Sequence, residues 1–344
     1  MHRLIPAAAL LLPFILSSCA ENESARRDMP VVELFAAGDI MLDRSVGEAA
    51  WRNGMSWILA DFRPDISSAD IAFANLESPI SEKAAKLEKP ISFRAPAGAG
   101  ELLAEAGFDV VSLANNHAVD CGRDGLTETM DFLRKSRIRW CGAGKDRNSA
   151  EKASVLRSRG LRVAFVAFCE FPEGSKKRDS VPTIALAELG TVGRCIREAR
   201  ERADVVIASF HWGEEYSRGP SEFQRALARE AVEAGASLIL GHHPHVIQGL
   251  ETLPRGKTGG RPALIAWSLG NFVFDQDGPR TSSGMALRIR LGKDGVESAR
   301  ILPVRIEGCR PRPAEGKEAV EILKIVTGLS VIGLVGPDGT LKLD

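Results

Sequence analysis

Five of the six histidines in this chain fall in three short segments, and each segment closes an apolar run. The segments are Asn115-Asn116-His117, His211-Trp212-Gly213 and Gly241-His242-His243-Pro244-His245. Two more apolar runs end in oxygen donors, at Gly38-Asp39-Ile40-Met41 and Asn75-Leu76-Glu77. Neutral imidazole is the commonest side-chain metal ligand. Carboxylate and amide oxygens complete sites for manganese, zinc or iron. His243 and His245, two residues apart, project to the same side of an extended segment. One lone histidine is more often a turn cap or a satisfied core residue. Five of them, joined by Asp39, Glu77 and Asn116 at equivalent run ends, point instead to a divalent-metal centre holding one or two ions. The donors do not distinguish manganese, zinc and iron.

The elements that must position these residues are short. Apolar runs at 31–37, 71–74, 110–114, 163–168, 205–210, 238–240 and 264–269 read as strands. Between them, 124–135, 186–202 and 221–234 carry helical patterns. This alternation predicts an α/β fold. Continuous apolar runs, rather than strict alternation, predict strands covered on both faces. Residues 285–291 and 299–306 do alternate, as an antiparallel pair joined at Lys293-Asp294-Gly295 would. In α/β sheets ligands bind beyond the carboxyl ends of strands, so the five polar motifs should converge on one crevice. Residues 311–316, proline-rich, read as a linker.

Six motifs in order resemble those of the CapA family of poly-γ-glutamate capsule synthesis. They are Gly38-Asp39-Ile40-Met41-Leu42, Asn75-Leu76-Glu77, Ser112-Leu113-Ala114-Asn115-Asn116-His117, His211-Trp212-Gly213-Glu214-Glu215-Tyr216, Gly241-His242-His243-Pro244-His245 and Ser268-Leu269-Gly270-Asn271-Phe272. The resemblance runs from about Val32 to Asp275, and the sole tyrosine lies inside it. That family is similar in turn to calcineurin-like metallophosphatases. The implied fold is a β-sandwich of two mixed sheets flanked by helices, with metals at the strand ends. The resemblance implies that Asp39 and His245 bind the first metal. It gives Asn116, His211 and His243 to the second, and makes His117 the general acid. Asn75, His242 and Asn271 are further site candidates. The phosphatases place a bridging aspartate where this chain has Asn75, and Glu77 is the carboxylate that can replace it. They also place a histidine where this chain has Met41, a poor ligand for hard cations. One or two ions therefore remain open.

Acidic and basic residues balance at 45 each, which excludes an electrostatic case for nucleic acid. No Cys-x-x-Cys pair is present, so a zinc knuckle is not expected. Residues 1–19 read as a lipoprotein signal: a basic start, an apolar stretch too short to span a membrane, and Leu16-Ser17-Ser18-Cys19. Cys19 is the expected lipidation site, anchoring the chain to a membrane outside the cytoplasm. Ala20 beside it favours an outer membrane where there is one. Residues 20–30 read as a tether, 31–310 as the domain, and 311–344 as a C-terminal extension packed on it. The expectation is an envelope-anchored protein in synthesis, export or processing of poly-γ-glutamate or a similar anionic surface polymer, by a metal-dependent hydrolytic or transfer step. Its expected partners are that polymer or a small anionic substrate, the membrane, and capsule synthase subunits. A non-catalytic component of a capsule complex, or a metal-dependent phosphoesterase, are the alternatives.

Overall fold

The computed structural model describes residues 30–172, 181–331 and 333–343. The expected signal, Cys19 and all but the last tether residue lie outside them. Two mixed sheets dominate. In the first, β1 (Val32–Ile40), β2 (Ile71–Leu76), β3 (Val110–Ser112) and β4 (Arg139–Cys141) run parallel. From the other edge of β1 the sheet continues antiparallel through β14 (Ser283–Gly292), β15 (Gly295–Glu307) and β16 (Arg310–Pro313). Beyond Ala36 the neighbour of β1 changes, and β13 (Asn271–Val273) pairs with its end in parallel. In the second sheet β7 (Leu161–Cys169), β9 (Val205–His211), β10 (Leu238–His242) and β12 (Ala263–Ala266) are parallel. Antiparallel β6 (Ser154–Ser158) and β11 (Leu250–Leu253) form its edges. A small ribbon pairs β5 (Ala143–Gly144) with β8 (Thr183–Ile184).

The continuous apolar runs have the reason anticipated for them. Along β7, Val163, Phe165, Ala167 and Cys169 enter the core between the sheets. Ala164, Val166 and Phe168 join a second core under the helices. β9, β10 and β12 divide their residues in the same way. Phe73 of β2 and Phe165 of β7 stack across the sandwich at 5.5 Å. Full burial of such a ring contributes about 1.5–3 kcal/mol.

Four helices matter below: α1 (Gly122–Lys135), α2 (Thr191–Arg200), α3 (Glu222–Ala234) and α4 (Gly316–Leu329). α3 begins where Ser221 and Gln224 form a reciprocal cap and ends at Gly235, whose φ of 117° suits glycine. α2 and α3 cover the outer face of the second sheet. Trp212 belongs to that core too, stacked on Phe210 at 4.4 Å.

One stretch departs from its sequence reading. The expected linker at 311–316 starts as edge strand β16, paired with Val304–Glu307. Pro311 and Pro313 have no N–H to donate, which signals a linker but also suits a sheet edge, where one side of the strand needs no donors. Then α4 sets Ile322 and Val326 into the core. Among the described residues no helix is long and apolar enough to cross a membrane.

Candidate metal centre

Strand register places the site residues in two rows. In the first sheet Asp39 pairs with Asn75 on one side and Asn271 on the other, and Asn75 pairs with Ser112. In the second sheet His211 pairs with Cys169 and His242. The motif glycines let β1 and β10 pack closely on the segment from Trp267 to Gly270, which runs from β12 to β13. A Cβ at Gly38 would lie 1.9 Å from the Gly270 carbonyl, and one at Gly241 would lie 2.0 Å from that of Trp267. Both contacts are with backbone, so neither position tolerates alanine without moving a strand.

Direct contacts join the rows. Asp39 Oδ1 accepts from Asn75 Nδ2 at 2.8 Å and lies 3.2 Å from His242 Nδ1. Asp39 Oδ2 accepts from the His243 N–H at 3.2 Å. Asn75 Nδ2 also lies 3.3 Å from His211 Nδ1. His211 Nε2 lies 2.9 Å from Asn116 Oδ1 and 3.1 Å from His243 Nδ1. Glu77 sits between the rows, fully buried, with Oε1 3.8 Å from His211 Nε2 and 3.7 Å from His245 Nε2. Two triads able to hold a cation share it: Glu77–His243–His245 and Asp39–Glu77–His211. These triads cut across the division of ligands that the resemblance implied.

The segment bearing His243 and His245 is held in unusual backbone. Their φ angles are 95° and 58°, a region that residues with a Cβ seldom occupy. Such strain persists only where the surroundings hold it, and it clusters at functional sites. Here the holding contacts include the Asp39 carboxylate on the His243 N–H, and the Tyr216 N–H on the Pro244 carbonyl at 2.8 Å.

Asn271 sets the tautomer of His245. Its Nδ2 donates to Gln276 Oε1 and to the Thr281 carbonyl, both at 3.0 Å. Its Oδ1 must therefore accept, and His245 Nδ1–H lies 2.9 Å away. The lone pair of His245 is left on Nε2, facing Glu77. A hydrogen bond on the far nitrogen is the usual way a ligating imidazole is oriented.

Burial decides the charges. It holds His211 well below the ordinary imidazole pKa, reinforced by His243, His242 and His245. It takes His243 down to about 3, again with His245 adding repulsion. Both are neutral near pH 7, the form that binds metal. Burial, with Asp39 next, pushes the Glu77 carboxyl well above its usual range. Neither Glu77 oxygen has a hydrogen-bond partner. An orphaned carboxylate costs far more than an orphaned neutral group. A divalent cation among these donors would compensate both oxygens, so the residues present fit such an ion.

His117 stands at the rim with a different role. Its Nδ1 lies 2.8 Å from Asp120 Oδ2. Asp120 is fully buried, accepts from the Phe93 N–H at 2.6 Å, and pairs with Lys89. Phe93 lies against the His117 ring at 4.2 Å. Burial lowers the His117 pKa, and Asp120 opposes the shift. Sequence reasoning passed over Asp120, although its spacing of three from His117 was a readable signal. It also gave no part to Asn115, whose Nδ2 donates to Asn75 Oδ1 and to the Leu76 carbonyl and whose Oδ1 accepts from the His117 N–H. Lys89, paired with Asp120, also donates to the Asn116 carbonyl at 3.3 Å.

Two mixed sheets flanked by helices, with imidazoles and carboxylates gathered at the strand ends, define a metallophosphatase-type fold. A novel phosphatase from Mycoplasma pneumoniae superposes with a TM-score of 0.50 over 80% of this chain and 94% of that one, at 12% identity. That likeness concerns the fold alone. The chain belongs to the family described as bacterial capsule synthesis protein PGA_cap, whose model matches residues 33–276. It is 31% identical over 296 residues to the capsule biosynthesis protein CapA of Bacillus anthracis, covering 83% of this chain and 70% of that protein. It is 29% identical over 343 residues to the PGA biosynthesis protein CapA of Bacillus subtilis strain 168, covering 97% and 88%.

Proposed function

We propose that this protein is a metal-dependent hydrolase or transferase of the cell envelope, acting on poly-γ-glutamate or a similar anionic surface polymer. The observation that carries the reading is the unpartnered Glu77 carboxylate among three imidazoles, with His117 held beside it by Asp120. A binding site alone has no need of a carboxylate-oriented imidazole at its edge. Membership of a capsule synthesis family supports the polymer as substrate class. Anchoring through Cys19 and association with synthase subunits complete the proposal.

A divalent cation bound to these donors supplies Lewis acidity toward a phosphoryl or carbonyl oxygen. The chain's own residues do the rest. Glu77, His211, His243 and His245 hold the centre, and Asp39 fixes the loop that bears the last two. Asp120 takes the Nδ1 proton of His117 as a hydrogen bond, so Nε2 is the nitrogen presented to substrate. There His117 can carry a proton to a leaving group, and Asp120 stabilises the imidazolium that does so. Phe93, Phe171 and Phe274, each packed on a site imidazole at 4.2–4.8 Å, limit water.

The test compares two variants. His117→Ala should retain metal and fold while turnover of a γ-glutamyl or phosphoester substrate falls about a hundred- to ten-thousand-fold. As an acid, His117 further requires that wild-type turnover fall as pH rises through its lowered pKa. His211→Ala should lose metal and turnover together. Normal polymer levels in a host carrying His117→Ala, with loss in His211→Ala, would make the metal structural and the protein a non-catalytic part of a capsule complex.

A further inference from the structure

A cavity of about 450 Å³ opens beside the metal centre and is used by nothing described so far. Its floor includes Val246 and Ile247, the two residues that follow His245, together with Ser283. One wall is α4, contributing Lys324, Ile325, Gly328 and Leu329. The remaining lining is Arg218, which follows the Tyr216 turn, and Arg280. Arg280 Nη1 donates to the Tyr216 carbonyl at 3.3 Å, and the Tyr216 ring stands 6.3 Å from that of His245. Cavity and metal centre are thus neighbours across one turn.

The charge of this lining is one-sided. Three cations face the cavity and no acidic side chain lines it. Arg218, Arg280 and Lys324 make no ion pair among the described residues. Glu318, the acid of α4 that is engaged in ion pairs, is already taken by Arg305 and Arg312. The chain as a whole is neutral, so three unpaired cations around one concavity are a local concentration rather than a general excess. The apolar part, from Val246, Ile247, Ile325 and Leu329, suits methylene groups. Fixed cations alternating with apolar surface complement a flexible chain that carries a carboxylate at regular intervals on an aliphatic backbone.

We propose that Arg218, Arg280 and Lys324 form a carboxylate-binding subsite that holds a stretch of an anionic polymer while a neighbouring linkage lies at the metal centre. The proposal rests on the polymer reading given above and adds a location and a direction: the chain leaves the centre over Tyr216 toward α4.

The experiment is a binding titration of a short fluorescent poly-γ-glutamate oligomer to the full-length protein in detergent, followed by anisotropy at low salt. Polyphosphate of equal charge and free glutamate serve as competitors. Replacing each cation by serine should weaken the oligomer about three- to tenfold, as expected for partly exposed charge contacts. The triple variant should lose most of the affinity, and added salt should weaken the wild type more than the triple variant. Metal content and far-ultraviolet circular dichroism should be unchanged, since none of the three touches a donor. Lys324→Glu, on an exposed helical position, guards against misfolding and should weaken the oligomer by at least as much as Lys324→Ser. Wild-type affinity in Lys324→Glu and in the triple variant overturns the subsite. Binding of polyphosphate without binding of the polyglutamate oligomer overturns its carboxylate occupant. Loss of turnover in His211→Ala leaves the isotherm unaffected, so failure of the catalytic reading and failure of the subsite are separate results.

Discussion

The two halves of the candidate metal centre are built from different ligand types and use them differently. In the half formed by His211, His243 and Asn116, the ligand atoms hydrogen-bond to one another across 2.9–3.1 Å, and burial keeps both imidazoles neutral. In the half formed by Asp39 and Met41, the donors are committed to the chain. Asp39 Oδ1 is held by Asn75, with His242 Nδ1 3.2 Å away, and Oδ2 is held by the His243 N–H. The Met41 sulfur accepts the Asp43 N–H at 3.1 Å. Glu77 belongs to both triads and neither oxygen is engaged. Contacts between fellow ligands can be exchanged for a shared cation, whereas Asp39 would have to give up an amide and a backbone N–H, and an unpartnered carboxylate gains most. Affinity should therefore follow Glu77 and the imidazole half, while Asp39 organises the loop.

The largest effect expected is on the shared residue and its imidazoles. His243→Ala and Glu77→Gln should each cost metal affinity more than the about ten- to hundredfold typical of outer-shell partners. Asp39→Asn should behave differently. It should lower stability by about 1–3 kcal/mol, because its partners are left with a weaker acceptor or a misplaced donor. Titration calorimetry with manganese or zinc, alongside thermal melting, separates these responses. Equal losses of metal in Asp39→Asn and His243→Ala would erase the contrast between the halves.

Asn271→Ala tests whether the fixed tautomer of His245 matters. It removes the acceptor on His245 Nδ1, and metal affinity should fall about ten- to hundredfold. Direct titration of the purified variant measures it, and unchanged affinity would show that the His245 ring is oriented by packing on Phe274 instead.

The pH dependence of the metal-free protein is a smaller effect with a definite sign. His211 and His243 have folded-state pKa values depressed below the unfolded value of 6.5, so the unfolded chain binds more protons as pH falls. Stability is then lost from about pH 6.5 downward, until His243 titrates in the fold near 3. Glu77 opposes this above 4.5, being protonated in the fold and ionised when unfolded. Two imidazoles outweigh one carboxyl, so melting temperature should fall between pH 7 and pH 5 in chelator. A rise over that range would mean that these imidazoles are charged in the fold.

Most strands were legible because burial on both faces writes itself as an unbroken apolar run, as in β7 and β9. The antiparallel pair β14–β15 was legible from its alternation and its Lys293-Asp294 turn. Short edges were not. β6 and β11 are partly exposed and carry no apolar run, and the prolines of β16 spoke for a linker. At the site, residue types and motif order pointed to the donors. What they could not convey was which donors are already satisfied. That depends on cross-strand neighbours such as Asn75 beside Asp39, and on local spacing such as Asp120 after His117, which a list of ligand types ignores.

The smallest predicted effect bears most directly on why the halves differ. Position 41 lies two residues beyond Asp39, on the same side of an extended segment. A thioether there offers hard cations little, and an imidazole offers a good ligand. Met41→His should therefore strengthen binding at the Asp39 half by about tenfold, or about 1.4 kcal/mol, and raise the stoichiometry toward two ions. Met41 is fully buried in the core, so the variant exchanges apolar packing for a polar ring as well as a weak sulfur acceptor for the Asp43 N–H, and thermal melting checks that it still folds. Metal analysis by mass spectrometry and a two-site titration decide the matter. A gain in stoichiometry would show that the side chain at 41 limits this half. No change would place the limit on Asp39, whose oxygens Asn75 and His243 already hold, and Asn75→Asp would then be the substitution that opens the second position.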